Sequence, residues 1–207
     1  MTIESPLSSE VPNNEFLRVN DVADRDLEFL TDLRDRESGG ALARNAHETQ
    51  AVRRLYVRMF ITVVESAIAT FKQEALSHGK QLSDSERSLL REVTYDIDSK
   101  GEPTERALHA PFLSSLRFAF KMLVSVRGLA FKPDYSSSGW QAMQDAVRVR
   151  NRLTHPKDTT DMTVSDAEMQ KVDAAELWFR QTHIALLEEY GAQLAQQLGA
   201  FGKSADA

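Results

Sequence analysis

The stretch VRVRNRLTHPKD, residues 147–158, sets Arg148, Arg150 and Arg152 at alternate positions, with Asn151 and His155 among and after them. Pro156 stops the run. Imidazole gives and takes a proton near neutral pH. Guanidinium presents a planar fork of N–H donors that fits phosphate oxygens. The two together can handle a phosphodiester, one moving protons and the other neutralising developing charge. From Arg148 to Lys157 there are four positive charges and no negative one. The whole chain is acidic, with a net charge of −6. That excludes a protein coated with nucleic-acid-binding surface and leaves room for a small local basic site.

The element carrying these residues reads as a helix over about 139–154, with Ser138 as its cap, ended by Pro156 because proline disfavours a helical residue before it. At about 100° per residue, Trp140, Met143 and Val147 share one stripe. Arg150 and Asn151 fall on that same stripe, seven after Met143 and four after Val147. Arg148 and Arg152 point away from it, as solvated arginines do. A guanidinium on a packing face needs an anionic or hydrogen-bonding partner. Glu65 is the only charge in MFITVVESAIATF and is costly there unless paired. Two readings stay open: Arg150 and Glu65 tie two helices together, or Arg150 binds a phosphate. His155 falls at the edge of the stripe, where the loosened helix end exposes its ring. Taken alone, such a histidine is more often a partner of helix-end carbonyls than a catalyst; Arg150 and Asn151 at this spacing raise the catalytic reading.

The other elements needed to hold that helix are also helical. A first helix runs from an Asn20 or Asp21 cap, with Ala23, Leu27, Leu30 and Leu33 at helical spacing, and ends at Gly39-Gly40. A long helix over about 48–77 has Val52, Leu55, Met59, Val63, Ala67 and Phe71 on one stripe and Gly79 beyond it. Ser83 and Glu86 make a capping box that opens a helix through about Ile97. SKGEPTERALHAP reads as a loop, and Pro111 suits the first turn of FLSSLRFAFKMLVSV. Ser165 with Glu168 opens the last helix, which runs to about Leu198. The expected fold is all-α, a bundle of about five to six helices. Residues 1–19 read as a disordered tail, 20–198 as a single domain whose 20–44 helix is added to the core, and 199–207 as a C-terminal tail.

Cysteine is absent, so disulfides and thiolate chemistry are excluded. His47, His78, His109 and His183 lack ligand spacing, so no metal is expected. Trp140, Trp178, Phe118 and Phe120 read as core. The N-terminus has no basic start leading into an apolar run, and the most apolar stretch is interrupted by Glu65. A cytoplasmic protein with no membrane association is expected. No Gly-rich phosphate loop, nucleophile elbow or Asp-rich metal site is present.

Arg150-Asn151, three further residues and His155 resemble the HEPN-domain motif, an Arg followed by a small polar residue and, after a short spacer, a His. The setting is similar too: a late helix of an all-α bundle, Pro after the His, LRFAFKML before it, and a long helix with an internal Glu. The resemblance covers about residues 45–198. It implies a metal-independent endoribonuclease that needs no cofactor, a toxin or phage-defence protein, active as a homodimer in which two motif copies share one cleft. It implies RNA as the partner and a possible antitoxin on a separate chain. Carried onto this sequence, His155 is the general acid or base, Arg150 the phosphate-binding group and Asn151 the residue orienting them. Glu65 is a supporting residue, and Arg148, Arg152 and Lys157 attract the RNA backbone. The alternative within the same family is a non-catalytic helical module that binds a nucleotide, RNA or a protein.

Overall fold

The computed structural model describes residue 25 and residues 27–35, 46–79 and 82–205. The expectations for the 1–19 tail, the Asn20 or Asp21 cap and the Gly39-Gly40 stop lie outside those residues. Helix α1 covers residues 27–35 and buries Leu27. It is followed by α2 (Ala46–His78), α3 (Asp84–Leu90), strands β1 (Val93–Ile97) and β2 (Pro103–Ala107), α4 (Phe112–Arg127), α5 (Ser138–Thr154), a 3₁₀ turn (Thr160–Met162) and α6 (Asp166–Ala205). The chain is mostly helical, with six helices and one two-stranded sheet among the described residues, so the all-α bundle expected from periodicity is what forms.

α5 packs along α6, α2 along α4, and α2 also touches α5 and α6. Tyr56, Phe60 and Ile61 from α2, Leu116 and Phe120 from α4, Met143 and Leu153 from α5, and Val172 and Leu186 from α6 fill the space between them. The buried stripe of α2 matches the expected one in part: Val52, Ala67 and Phe71 are buried as read, but the middle of the stripe is turned. Leu55 is exposed and Met59 and Val63 are half-buried, while Tyr56, Phe60, Val64 and Ile68 are buried. Those four recur every fourth residue and carry two aromatic rings, so turning them inward removes more apolar surface from water. The stripe expected on α5 is buried as read: Trp140, Met143 and Val147. Trp178 and Phe120 are core, and Phe118 is half-buried.

Two boundaries differ from the sequence reading. The helix opened by Ser83 stops at Leu90, and the segment expected to continue it is β1, paired antiparallel with β2 inside the expected loop. Val93, Tyr95 and Ile97 alternate with Thr94 and Asp96, a β-branched and aromatic pattern that favours a strand. The turn closes because Asp98 Oδ1 accepts from the amides of Lys100 and Glu102, and Gly101 takes a positive φ. At the other end of the chain, α6 continues past Leu198 to Ala205.

α5 is fixed at both ends, and this positions the site. Its first turn is capped by the Ser137 hydroxyl, one residue before the expected cap, which accepts from the Trp140 amide. Gly139 lies against Trp178, whose indole N–H donates to Asp134 O. Trp140 and Trp178 pack tilted at 59°, 5.2 Å between ring centres, with Arg117 over Trp140 at 4.6 Å. At the far end, Arg58 of α2 donates to Leu153 O at 3.0 Å, meeting one of the carbonyls a helix end leaves unpaired.

Candidate functional site

The last turn of α5 carries the motif. The His155 amide donates to Asn151 O at 3.0 Å, so His155 caps the helix one turn beyond Asn151. Its backbone then leaves the helical region that Pro156 disfavours, at φ −127° and ψ 61°. The chain turns back through a short segment held by side chains. Asp158 Oδ1 accepts from the amide and hydroxyl of Thr160, and the Lys157 amide donates to Asp161 Oδ2. α2 ties the same segment down: Arg54 donates to Met162 O, Arg53 to Val164 O, and Gln50 bonds both the carbonyl and the amide of Val164.

The sequence-predicted residues separate into three groups. Arg150, Asn151 and Glu65 come together. Arg150 Nη2 donates to Glu65 Oε1 at 2.6 Å and Nη1 donates to Asn151 Oδ1 at 3.2 Å. This is the α2–α5 ion pair that the lone carboxylate called for. It lies at the surface, with the Arg150 side chain 32% and the Glu65 side chain 46% exposed. His155 and Lys157 form the second group, exposed on the segment that leaves α5. The His155 ring has no hydrogen-bond partner among the described residues, so it is not the carbonyl-bound helix-end histidine of the simpler reading.

Arg148 and Arg152 form the third group, and they are not equivalent. Arg148 is exposed and pairs with Asp145, which Lys171 also contacts at 3.1 Å. Arg152, expected to be solvated and available to RNA, is instead a clamp. Its Nη1 donates to Asp161 O at 2.6 Å and Thr163 O at 2.9 Å, and its Nη2 to Glu168 Oε1 at 2.6 Å. The reason is the path of the chain after Pro156, which folds the 3₁₀ turn and the start of α6 back over this arginine. Burial pushes the Glu168 carboxyl up, but the Ser165 amide and hydroxyl and the Arg152 charge outweigh it and hold it below the usual carboxylate range. Glu168 therefore serves its capping box and this clamp at once.

Arg150, Asn151 and Glu65 form one wall of a groove of about 660 Å³. Its floor and far wall hold four residues that the motif did not indicate: Lys72, Glu92, His109 and Ser115. Lys72 Nζ donates to Glu92 Oε1 and to Ser115 Oγ, both at 2.6 Å. One signal for Lys72 was available. It lies four residues after Ile68 on the buried side of α2, a charge on a packing face, as Arg150 is on α5. His155 is not among the residues lining this groove. A second groove, of about 460 Å³, lies against Arg34, Arg53, Asp166 and Asp173. Arg34 pairs with Asp173 and Asp35 there and Arg53 with Asp166, so both of its arginines already hold carboxylates.

No protein-family model, curated protein or solved structure matches this chain. The site must therefore be read from its own chemistry. Arg150 lines the groove with two of its N–H groups engaged, and a guanidinium with further donors can take phosphate oxygens. An imidazole in water can exchange protons. Among the described residues no helix is long and apolar enough to cross a membrane.

Proposed function

We propose that the end of α5 is the phosphodiester-handling site of a HEPN-type, metal-independent endoribonuclease, a toxin or phage-defence protein of the cytoplasm. In this reading the 2′-hydroxyl of RNA attacks the adjacent phosphorus, and the P–O5′ bond breaks. His155 takes the 2′-hydroxyl proton or gives one to the leaving 5′-oxygen. Arg150, steadied by Glu65 and Asn151, meets the charge that develops on the phosphorane oxygens. The products are a 2′,3′-cyclic phosphate and a 5′-hydroxyl. Two subunits related by a two-fold axis bring two such helix ends together, so each His155 works beside two copies of Arg150. An antitoxin on another chain restrains the enzyme.

The observation that carries this reading is the state of Arg150. It spends two N–H groups on Glu65 and Asn151 and still lines the groove, and five residues later comes an exposed imidazole with no hydrogen-bond partner among the described residues. Induced expression in cells tests it. The parent arrests growth and His155→Ala does not, at equal soluble protein. Growth without arrest for the parent, or equal arrest by the variant, rejects it.

One observation favours a second reading. Because His155 lies off the groove that Arg150 and Asn151 line, a non-catalytic HEPN module that binds a nucleotide, RNA or a protein partner accounts for the groove without strand scission. Phosphate-ligand binding with no RNA cleavage is its signature.

A further inference from the structure

Cleavage of RNA by its own 2′-hydroxyl needs two proton transfers at one phosphorus. The 2′-oxygen loses its proton as the O2′–P bond forms, and the 5′-oxygen gains one as the P–O5′ bond breaks. The attacking and leaving oxygens lie roughly in line, on opposite sides of the phosphorus, so one imidazole does not sit against both. His155 is one proton-transfer group, and it lies off the groove that Arg150 lines.

That groove has an imidazole of its own. His109, between β2 and α4, lines the same space as Arg150 and Asn151 of α5. It is exposed, and its ring has no hydrogen-bond partner among the described residues. The other ionisable groups lining the groove are matched, Glu65 by Arg150 and Glu92 by Lys72. The volume of about 660 Å³ is that of one small-molecule site, roughly 300–1,000 Å³, so what Arg150 holds there His109 borders.

The short segment that carries His109 is fixed on both sides. The Leu108 amide donates to Glu92 O at 2.7 Å, and the Ser115 amide donates to Pro111 O at 2.9 Å. Glu92 and Ser115 are in turn the two partners of Lys72, whose Nζ donates to Glu92 Oε1 and Ser115 Oγ, both at 2.6 Å. Lys72 is 5% exposed, and a buried ammonium is costly unless its donors are met. An apolar side chain would fill that place on α2 at less cost. What the ammonium adds is direction: it ties residues 20 and 43 positions away to one point beneath His109's segment. Glu92 is also the only non-glycine at positive φ among the described residues, at 57°, a conformation that persists where surrounding contacts enforce it. The bonds from Lys72 and Leu108 are such contacts.

We infer that His109 is the second proton-transfer group of the cleavage site, and that Lys72 is the positioning residue that sets it. The inference rests on the cleavage reading and adds to it a residue outside the Arg150–His155 motif. One imidazole takes the 2′-proton and the other gives a proton to the 5′-oxygen, so the step neither gains nor loses a proton overall. Arg150 meets the phosphorane charge between them.

Rates of RNA cleavage against pH test this, with the full chain and with His109→Ala, His155→Ala and Lys72→Met at the parent's helical content. His109→Ala lowers kcat about 10²–10⁴-fold with KM nearly unchanged, flattens one limb of the pH–rate profile, and regains rate when free imidazole is added. Lys72→Met lowers kcat about tenfold to a hundredfold through misplacement of the ring, and costs little more when added to His109→Ala. A parent-like rate for His109→Ala overturns the inference whether or not Lys72→Met folds. So does a loss that leaves both limbs intact or that imidazole does not restore. A folded Lys72→Met with the parent's rate overturns the positioning role. Cleavage lost in His155→Ala and kept in His109→Ala rejects this inference and spares the cleavage reading. No cleavage by the parent rejects that reading, and this inference with it.

Discussion

Replacing Arg152 by alanine separates a structural arginine from one that meets RNA. The side chain donates three charge-assisted bonds, to Asp161 O, Thr163 O and Glu168 Oε1, and is about one-quarter exposed. In a fully buried setting each such bond contributes roughly 1.5–3 kcal/mol. Here water reaches part of the guanidinium, and after truncation it can solvate the freed carbonyls and Glu168. We therefore expect a loss of about 2 kcal/mol for the set rather than the full sum. Arg148 is the internal control. It is two-thirds exposed and pairs only with the neighbouring Asp145 of its own helix, so Arg148→Ala costs about 0–0.5 kcal/mol. In urea, with a slope of roughly 2 kcal/mol/M, Arg152→Ala moves the midpoint down by about 1 M and Arg148→Ala leaves it nearly unmoved. Equal midpoints for the two variants, or a midpoint for Arg152→Ala within error of the parent, would refute the assignment of Arg152 as the clamp of the α5–α6 connection.

Burial between Phe71 and Phe179 pushes the His183 imidazole below its ordinary value, so the folded protein holds it neutral while the unfolded chain takes up a proton. Stability therefore falls as pH drops through about 6.5, and His183→Phe removes that slope; urea midpoints at about pH 7 and about pH 5.5 check it, and an unchanged slope contradicts it. Gly139→Ala places a methyl 2.5 Å from Trp178 Cβ, an atom too close to the α6 backbone to yield. It costs about 1–3 kcal/mol, and a thermal midpoint equal to the parent's would show that α5 and α6 are less closely seated than described. Lys157 is exposed beside His155, so Lys157→Ala lowers the slope of log affinity for RNA against log salt by about 1, and an unaltered slope removes Lys157 from the interface.

What was legible in the sequence was local or periodic. Both capping boxes, Ser83 with Glu86 and Ser165 with Glu168, form as their spacing requires, because donor and acceptor lie within one turn. The Trp140–Met143–Val147 stripe is buried because a helix repeats. The Glu65–Arg150 pair was found by asking what a lone charge on an apolar stripe demands. What was not legible depended on the path of the chain. Arg152 looked solvated because its partners arrive from a turn after Pro156 whose course no periodicity reports. The hairpin was hidden by a helix start too strong to suggest that the helix ended after seven residues, although Val93, Tyr95 and Ile97 alternate. Lys72 meets Ser115 across 43 positions and Glu92 across 20. Neither contact has a signature in spacing.

The central claim is that the exposed guanidinium of Arg150 and the imidazole of His155 act on one phosphodiester. Incubation of the purified chain with single-stranded and hairpin RNA in excess chelator, followed by analysis of fragment ends, tests it most directly. The account predicts fragments ending in 2′,3′-cyclic phosphate and 5′-hydroxyl from the parent, and none from His155→Ala or Arg150→Ala preparations that retain the parent's helical content. Intact RNA with the parent, or equal cleavage by the His155 variant, would contradict it.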